Sequence, residues 1–442
     1  MLRKIALNTV RFLRKVQKQA VFSMALRYNG LKDALLCAKQ LLTDDMEDTT
    51  MAKLRLGVIG VGNMGTGHLS NYVKGSLPEI EVTAVADRKE SRRKWAKENL
   101  PESVKIFEEG SDLIASGLCD AVLIATPHYQ HPTLAIEAFE HKVHVMCEKP
   151  AGVYTKAVRE MNEAAEKSGC VFGMMFNQRT NCLYRKMHEL VTGGELGAIK
   201  RVNWIITDWY RTQIYYDSGA WRATWAGEGG GVLLNQCPHQ LDLLQWICGL
   251  PSKVHAFCHI GKWHDIEVED DVTAYLEYPN GATGVFITST GDAPGTNRFE
   301  VDMEMGKLVC ENDKLTLYKL SQNERTWCKE AKGGFDKPDC TEIEVETDGY
   351  NEQHIGVLNA FAGRILHGTP LVAEGKEGIR GLTLSNAMHL SSWLGHAVEI
   401  PFDEDLYLAE LDKRRATSKM KEDLDITFDT TNTYGSQTKI KK

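Results

Sequence analysis

The chain has 442 residues, room for two or three domains at about 150 residues each. Its 52 lysines and arginines against 60 aspartates and glutamates leave a net charge of −8, which speaks against nucleic acid as the main partner because neutralising phosphates needs a basic surface. A hydrophobic fraction of 43% excludes bulk disorder, and no run of about 18 uncharged apolar residues occurs to span a membrane.

Residues 1–50 differ in character from the rest of the chain. Arg3, Lys4, Arg11, Arg14, Lys15, Lys18 and Arg27 are interleaved with Leu2, Ile5, Val10, Phe12, Leu13, Val16 and Val21 before the first acidic residue, Asp33. This is the pattern of a basic amphipathic helix, suited to a membrane surface, a targeting peptide, an oligomerisation arm or a solvated extension, or it is upstream sequence ahead of a start at Met51. The acidic stretch Asp44–Asp48 reads as a linker, and folding proper is expected from about residue 51.

The apolar run Leu56–Ile59 leads straight into Gly60-Val61-Gly62-Asn63-Met64-Gly65, a GxGxxG pattern at a strand–helix junction. Glycines at these places permit a tight turn, close approach of a pyrophosphate and close helix–strand packing. The start of the next helix offers unpaired N–H groups to phosphates. A second strand, Val82–Ala86, ends on Asp87, placed to accept bonds from an adenosine ribose and to disfavour a 2′-phosphate. Arg88 beside it would suit that phosphate, so NAD is expected with NADP possible. As an alternative, Asp87 is simply the N-cap of a helix over Arg88–Asn99. Strands at Ala121–Ala125, Val143–Cys147 and Val171–Phe176 alternate with helices from Pro132 and over Tyr154–Ser168. That alternation predicts a doubly wound parallel sheet over 51–177, with ligands at the C-terminal strand ends. Thr126-Pro127-His128 and Glu148-Lys149-Pro150 fall there.

Residues 178–415 predict a second α/β domain with a large, mostly antiparallel sheet. Its strands are expected at Val254–Ile260, Thr273–Tyr278, Thr283–Thr288, Phe299–Met305 and Lys307–Glu311, with helices at Gln353–His367 and Lys376–Leu394. Four of the nine tryptophans lie between Trp204 and Trp225, with Tyr210, Tyr215, Tyr216, Arg211 and Arg222 among them. Such rings suit sugar faces and suit core packing or a subunit contact equally. Tyr216, Trp221, Arg222, Arg179 and Asp242 are candidates for substrate contact. Residues 416–442 read as a polar tail. The 11 cysteines include no CxxC pair, so free thiols in a reducing, cytoplasmic compartment are expected, with no structural metal.

On a predicted helix running to Cys248, Asn235, His239 and Asp242 are spaced i, i+4 and i+7 and would share one face. Histidine titrates near working pH and suits removal of a hydroxyl proton. The ordered set of GxGxxG, Asp87, Glu148-Lys149-Pro150, Gly229-Gly230-Gly231 and His239 with Asp242 resembles the glucose-fructose oxidoreductase and inositol dehydrogenase family (Gfo/Idh/MocA). His68, Trp221-Arg222, Val268-Glu269-Asp270 and Asn280-Gly281-Ala282 also match. The resemblance implies a nicotinamide-dependent oxidoreductase acting on a secondary hydroxyl of a sugar, cyclitol or glycoside. It carries the catalytic lysine onto Lys149 and the catalytic histidine onto His239, with a cis bond before Pro150 and the sheet face often covered by another subunit, hence a homo-oligomer. Many members carry aspartate where this chain has Asn235. That leaves open a His–Asp proton relay, with Asp242 as the other carboxylate at hand. Redox-neutral glycoside oxidation at C3 or glycoside cleavage with a retained cofactor, and a non-catalytic dinucleotide sensor, are the alternatives.

Overall fold

The structure, a computed structural model, describes residues 53–419 and 421. The basic extension over residues 1–50 and most of the expected tail lie outside these. The first half builds alternating elements: β1 (Leu54–Ile59), α1 (Asn63–Val73), β2 (Ile80–Ala86), α2 (Glu90–Asn99), β3 (Lys105–Phe107), α3 (Gly110–Ala115), β4 (Ala121–Ile124), α4 (Gln130–Glu140), β5 (His144–Cys147), α5 (Thr155–Ser168) and β6 (Phe172–Met174). All pairings are parallel, in the order β3-β2-β1-β4-β5-β6. Strands such as β4 are buried along their whole length because helices cover both faces. The strand order reverses between β1 and β4, which opens a crevice at their C-terminal ends.

The second half contains α6 (Cys182–Thr192), β7 (Ile199–Ile206), α7 (Gln213–Asp217) and α8 (Pro238–Cys248). It continues with β8 (Lys253–Ile260), β9 (Glu269–Glu277), β10 (Thr283–Ser289), β11 (Asn297–Met303), β12 (Gly306–Glu311), β13 (Lys314–Leu320), α9 (Glu324–Glu330) and β14 (Cys340–Glu344). It ends with α10 (Gln353–His367), α11 (Gly378–Leu394), β15 (Val398–Glu399) and α12 (Glu404–Arg415). A nine-stranded sheet runs in the order β14-β13-β12-β11-β7-β10-β9-β8-β15, antiparallel except where β7 meets β10. Its inner face, with Trp204, Ala256, Ala274, Phe286 and Phe299, packs beneath α6, α8 and α11. The outer face leaves Ile205, Phe257 and Tyr275 exposed.

Three departures from the sequence reading matter for the site. First, α8 starts at Pro238 and not at Asn235, because proline's fixed φ and missing N–H suit the first helical position. Asn235 therefore stands in the turn ahead of the helix. Second, α2 starts at Glu90 with no side-chain cap, so Asp87 is not its N-cap. Third, the part of the tail that is described is tied down: the Ser418 hydroxyl donates to Glu267 and accepts from the Ala226 N–H, and the Lys421 N–H donates to the Ala220 carbonyl at 3.2 Å. The helix α10 packs against α1 and β1, and Val357, Leu358 and Phe361 complete the core on that side of the first sheet.

Candidate active site

The glycine loop is built for a close-lying ligand. A Cβ on Gly65 would sit 1.9 Å from the Gly60 carbonyl oxygen, so the helix can approach the turn only without one. A Cβ on Gly62 would meet nothing within 4 Å, which leaves open space in front of the N–H groups of α1. Asn63 and Met64 form the first turn of that helix, and its side chains do not cap it. Asp87 comes directly after β2, its two oxygens accepting from Val61 N–H at 2.7 Å and Lys89 N–H at 2.9 Å. It thereby holds the glycine loop against the strand end. Arg88 points outward and pairs with Glu109 at 2.9 Å. After β4, Thr126 has a buried hydroxyl without a partner, and His131 stands 2.7 Å from both the Thr126 and Pro150 carbonyls. Open space at Gly62, exposed helix N–H groups and an orphaned hydroxyl fit a dinucleotide lying across Gly60–Gly65 toward Thr126-Pro127-His128.

At the next strand end, Lys149 precedes a cis peptide bond to Pro150. Its ammonium donates to the Asn235 carbonyl at 2.7 Å. Burial depresses its pKa and Arg222 adds to that, while Glu148, Tyr215 and Glu228 oppose it. Glu148 accepts from the Lys149 N–H at 3.1 Å and faces His68 Nε2 at 2.7 Å. Burial alone would push Glu148 up, but His68, with His354 and Lys149, outweighs it and holds the carboxyl at about 2. The rings of His68 and His354 meet edge-on at 5.3 Å, and burial, with His68, lowers His354 to about 4.

His239 lies in the first turn of α8. Burial first, then the charge of Lys149, puts it well below the ordinary imidazole range, and its buried Nδ1 has no partner. Its ring faces Phe176 at 6.4 Å. The structure thus brings Lys149, Asn235 and His239 to one place, at the meeting of β5 and the α8 N-terminus. Asp242 is not with them. Both its oxygens accept from Arg179, at 2.7 and 2.6 Å, and Arg179 also pairs with Glu377. Arg179 and Asp242 are mutually satisfied and buried, which removes both from the expected substrate contacts and Asp242 from His239.

The aromatic segment divides. Trp204 stacks on Phe299 in the core at 4.1 Å, and Trp225 packs with His389 and Trp393. Tyr216 is also turned inward, its hydroxyl 2.7 Å from that of Thr290. Trp221 and Arg222 stand at the site: Trp221 meets His128 edge-on at 5.6 Å, and the Arg222 guanidinium lies 4.5 Å over Tyr215. The Tyr215 hydroxyl accepts from Arg222 at 2.8 Å and from Gln236 at 3.1 Å. Sequence reasoning counted Tyr215 only within the aromatic segment and gave no site role to Gln236, His354 and, above all, Glu228. The three glycines after Glu228 were the signal that a buried turn lay there. A groove of about 620 Å³ elsewhere, between α5 and α12, spends its charges on itself through Lys156–Asp405 and Arg159–Glu404.

Two family models match in succession: an oxidoreductase family with an NAD-binding Rossmann fold over residues 54–176, and a GFO/IDH/MocA C-terminal domain over 184–309. The chain belongs to the Gfo/Idh/MocA oxidoreductase family. It is an NAD-binding oxidoreductase of a family whose members act on sugars and cyclitols. It is 26% identical to myo-inositol 2-dehydrogenase of Thermotoga maritima over 342 residues, covering 76% of this chain and 95% of that protein. It is 27% identical to D-glucoside 3-dehydrogenase of Escherichia coli over 251 residues, 52% of this chain and 69% of that one. The WlbA dehydrogenase of Chromobacterium violaceum, solved with NADH and UDP-GlcNAcA, superposes with a TM-score of 0.66 at 27% identity, over 80% of this chain and 98% of that chain. Among the described residues no helix is long and apolar enough to cross a membrane.

Proposed function

We propose that this enzyme oxidises a secondary ring hydroxyl of a sugar, cyclitol or glycoside, with Lys149 taking the hydroxyl proton and His239 orienting the hydroxyl. The observation that carries the reading is the placing of a half-buried lysine of depressed pKa beside a neutral buried histidine, at the strand ends where the glycine loop delivers its ligand. Held on Gly60–Gly65, NAD would supply the hydride-accepting nicotinamide ring. Gly62 and the first turn of α1 would hold its pyrophosphate, Asp87 its ribose, and Thr126 and His128 would line its path toward Lys149.

Burial lowers the Lys149 pKa, which favours the uncharged amine that can accept a proton. His239, held well below the imidazole range, stays neutral and is the weaker base. It is therefore assigned to hydrogen bonding with the hydroxyl, and the proton to Lys149. The flat rings of Tyr215 and Trp221, held by Arg222, suit the apolar face of a pyranose or cyclitol ring.

Lys149→Ala should leave NAD binding within a few-fold and lower turnover by about 10³-fold, measured with a panel of free sugars, inositols and glycosides. Near-wild-type turnover would refute the assignment. Absorbance of the purified protein separates the second reading, redox-neutral glycoside oxidation at C3, of which the likeness to a D-glucoside 3-dehydrogenase supports the position oxidised. Free NADH accumulating only with added NAD supports the ordinary dehydrogenase. Co-purifying cofactor that is reduced in place supports the second.

A further inference from the structure

Asn235 leaves His239 without a carboxylate four residues before it, and the fold supplies one from elsewhere. Glu228 is 1% exposed and lies behind Asn235. One oxygen accepts from the Asn235 side-chain amide and stands 3.9 Å from the Arg222 guanidinium. The other accepts from the Ala223 N–H at 2.6 Å. The main-chain oxygen of Glu228 is 3.2 Å from His128 Nδ1, so the residue also grips the loop after β4. The Asn235 carbonyl, on the same residue whose side chain Glu228 holds, is the acceptor for Lys149.

We propose that Glu228 is the positioning carboxylate of this site: it fixes Asn235, and with it the carbonyl that holds Lys149, and as an anion it offsets the charge of Lys149 and Arg222. The inference rests on Lys149 being the proton acceptor of the proposed reaction. Burial pushes Glu228 up to about 7, with Arg222, the Ala223 N–H and Asn235 opposing and Glu269 adding. Below that pH Glu228 is neutral, and Lys149 and Arg222 face each other unscreened. Above it the anion favours the ammonium form of Lys149. Arg222, Tyr215, Glu148 and Glu269 also face Glu228 or Lys149, with His68 against Glu148. Burial holds His128 and His239 well below the imidazole range, His354 is at about 4, and burial raises Tyr216.

The test reads Lys149 directly. Its rate of modification by trinitrobenzenesulfonate is followed against pH by peptide mass spectrometry in the full-length enzyme. In the wild type the profile should be stretched, with an inflection near pH 7 ahead of the main rise. In Glu228→Gln the inflection should vanish and the half-point should move down by about one pH unit, roughly tenfold in labelling at fixed pH. The ascending limb of the kcat profile should move with it, whereas Glu228→Asp, which keeps the charge, should restore the labelling half-point in part. A single-step wild-type profile, or an unchanged half-point in Glu228→Gln, overturns the proposal. If Lys149→Ala turns over normally while the labelling shift is present, the reaction assignment falls and the coupling stands.

Discussion

Each oxygen of the Asp87 carboxylate accepts one backbone N–H, from Val61 and from Lys89, and each retains a second lone pair. The residue therefore holds the glycine loop and remains able to accept ribose hydroxyls. Asp87→Ala should raise the KM for both dinucleotides, because the loop loses its anchor, and should lower the NAD-to-NADP preference by about tenfold. Initial rates with the two cofactors separate these effects. An unchanged ratio would leave Asp87 as an anchor alone. At this scale Lys149 and His239 were singled out through the family resemblance, which carries a lysine and a histidine onto them. Glu228 was not, since it lies in a turn that has no period, and only the reversal at Gly229, with φ of 85°, brings it back toward Asn235.

At the scale of elements, the ion pair of Arg179 with Asp242 joins the segment after β6 to α8, and Glu377 adds the start of α11. Removing one member leaves a buried charge uncompensated. Arg179→Ala should destabilise the fold by about 3–5 kcal/mol in urea denaturation. A loss of less than about 1 kcal/mol would mean that Asp242 finds another donor, or takes up a proton. Five of the six strands of the first sheet and the central helices could be read from their apolar patterns. β7 was missed although Val202, Trp204 and Ile206 alternate inward, because its tryptophan was counted with the aromatic segment after it. β3 and β14 lie at sheet edges and are short, and the five residues of β14 are all exposed, so they carry no burial pattern to read.

For the whole molecule, the outer face of the nine-stranded sheet presents Phe257, Thr273, Ile287 and Ile205 in one lateral row and His255, Tyr275 and Val285 in the next. We propose that a second copy of the chain covers this face, as the family resemblance implies. Phe257→Glu should then lower the mass measured by light scattering without loss of secondary structure. A wild-type monomer at micromolar concentration would exclude the arrangement. The packing of α10 has a separate consequence. All six strands of the first sheet have been made by Met174, yet part of its cover arrives with Val357, Leu358 and Phe361, and the Met174 N–H is met by the Ala373 carbonyl. During synthesis from the N-terminus, that flank of the dinucleotide half stays bare until nearly two hundred further residues have left the ribosome. A nascent chain stalled or cut in that interval would display greasy surface, and chaperone demand should peak there rather than at the end of the first sheet.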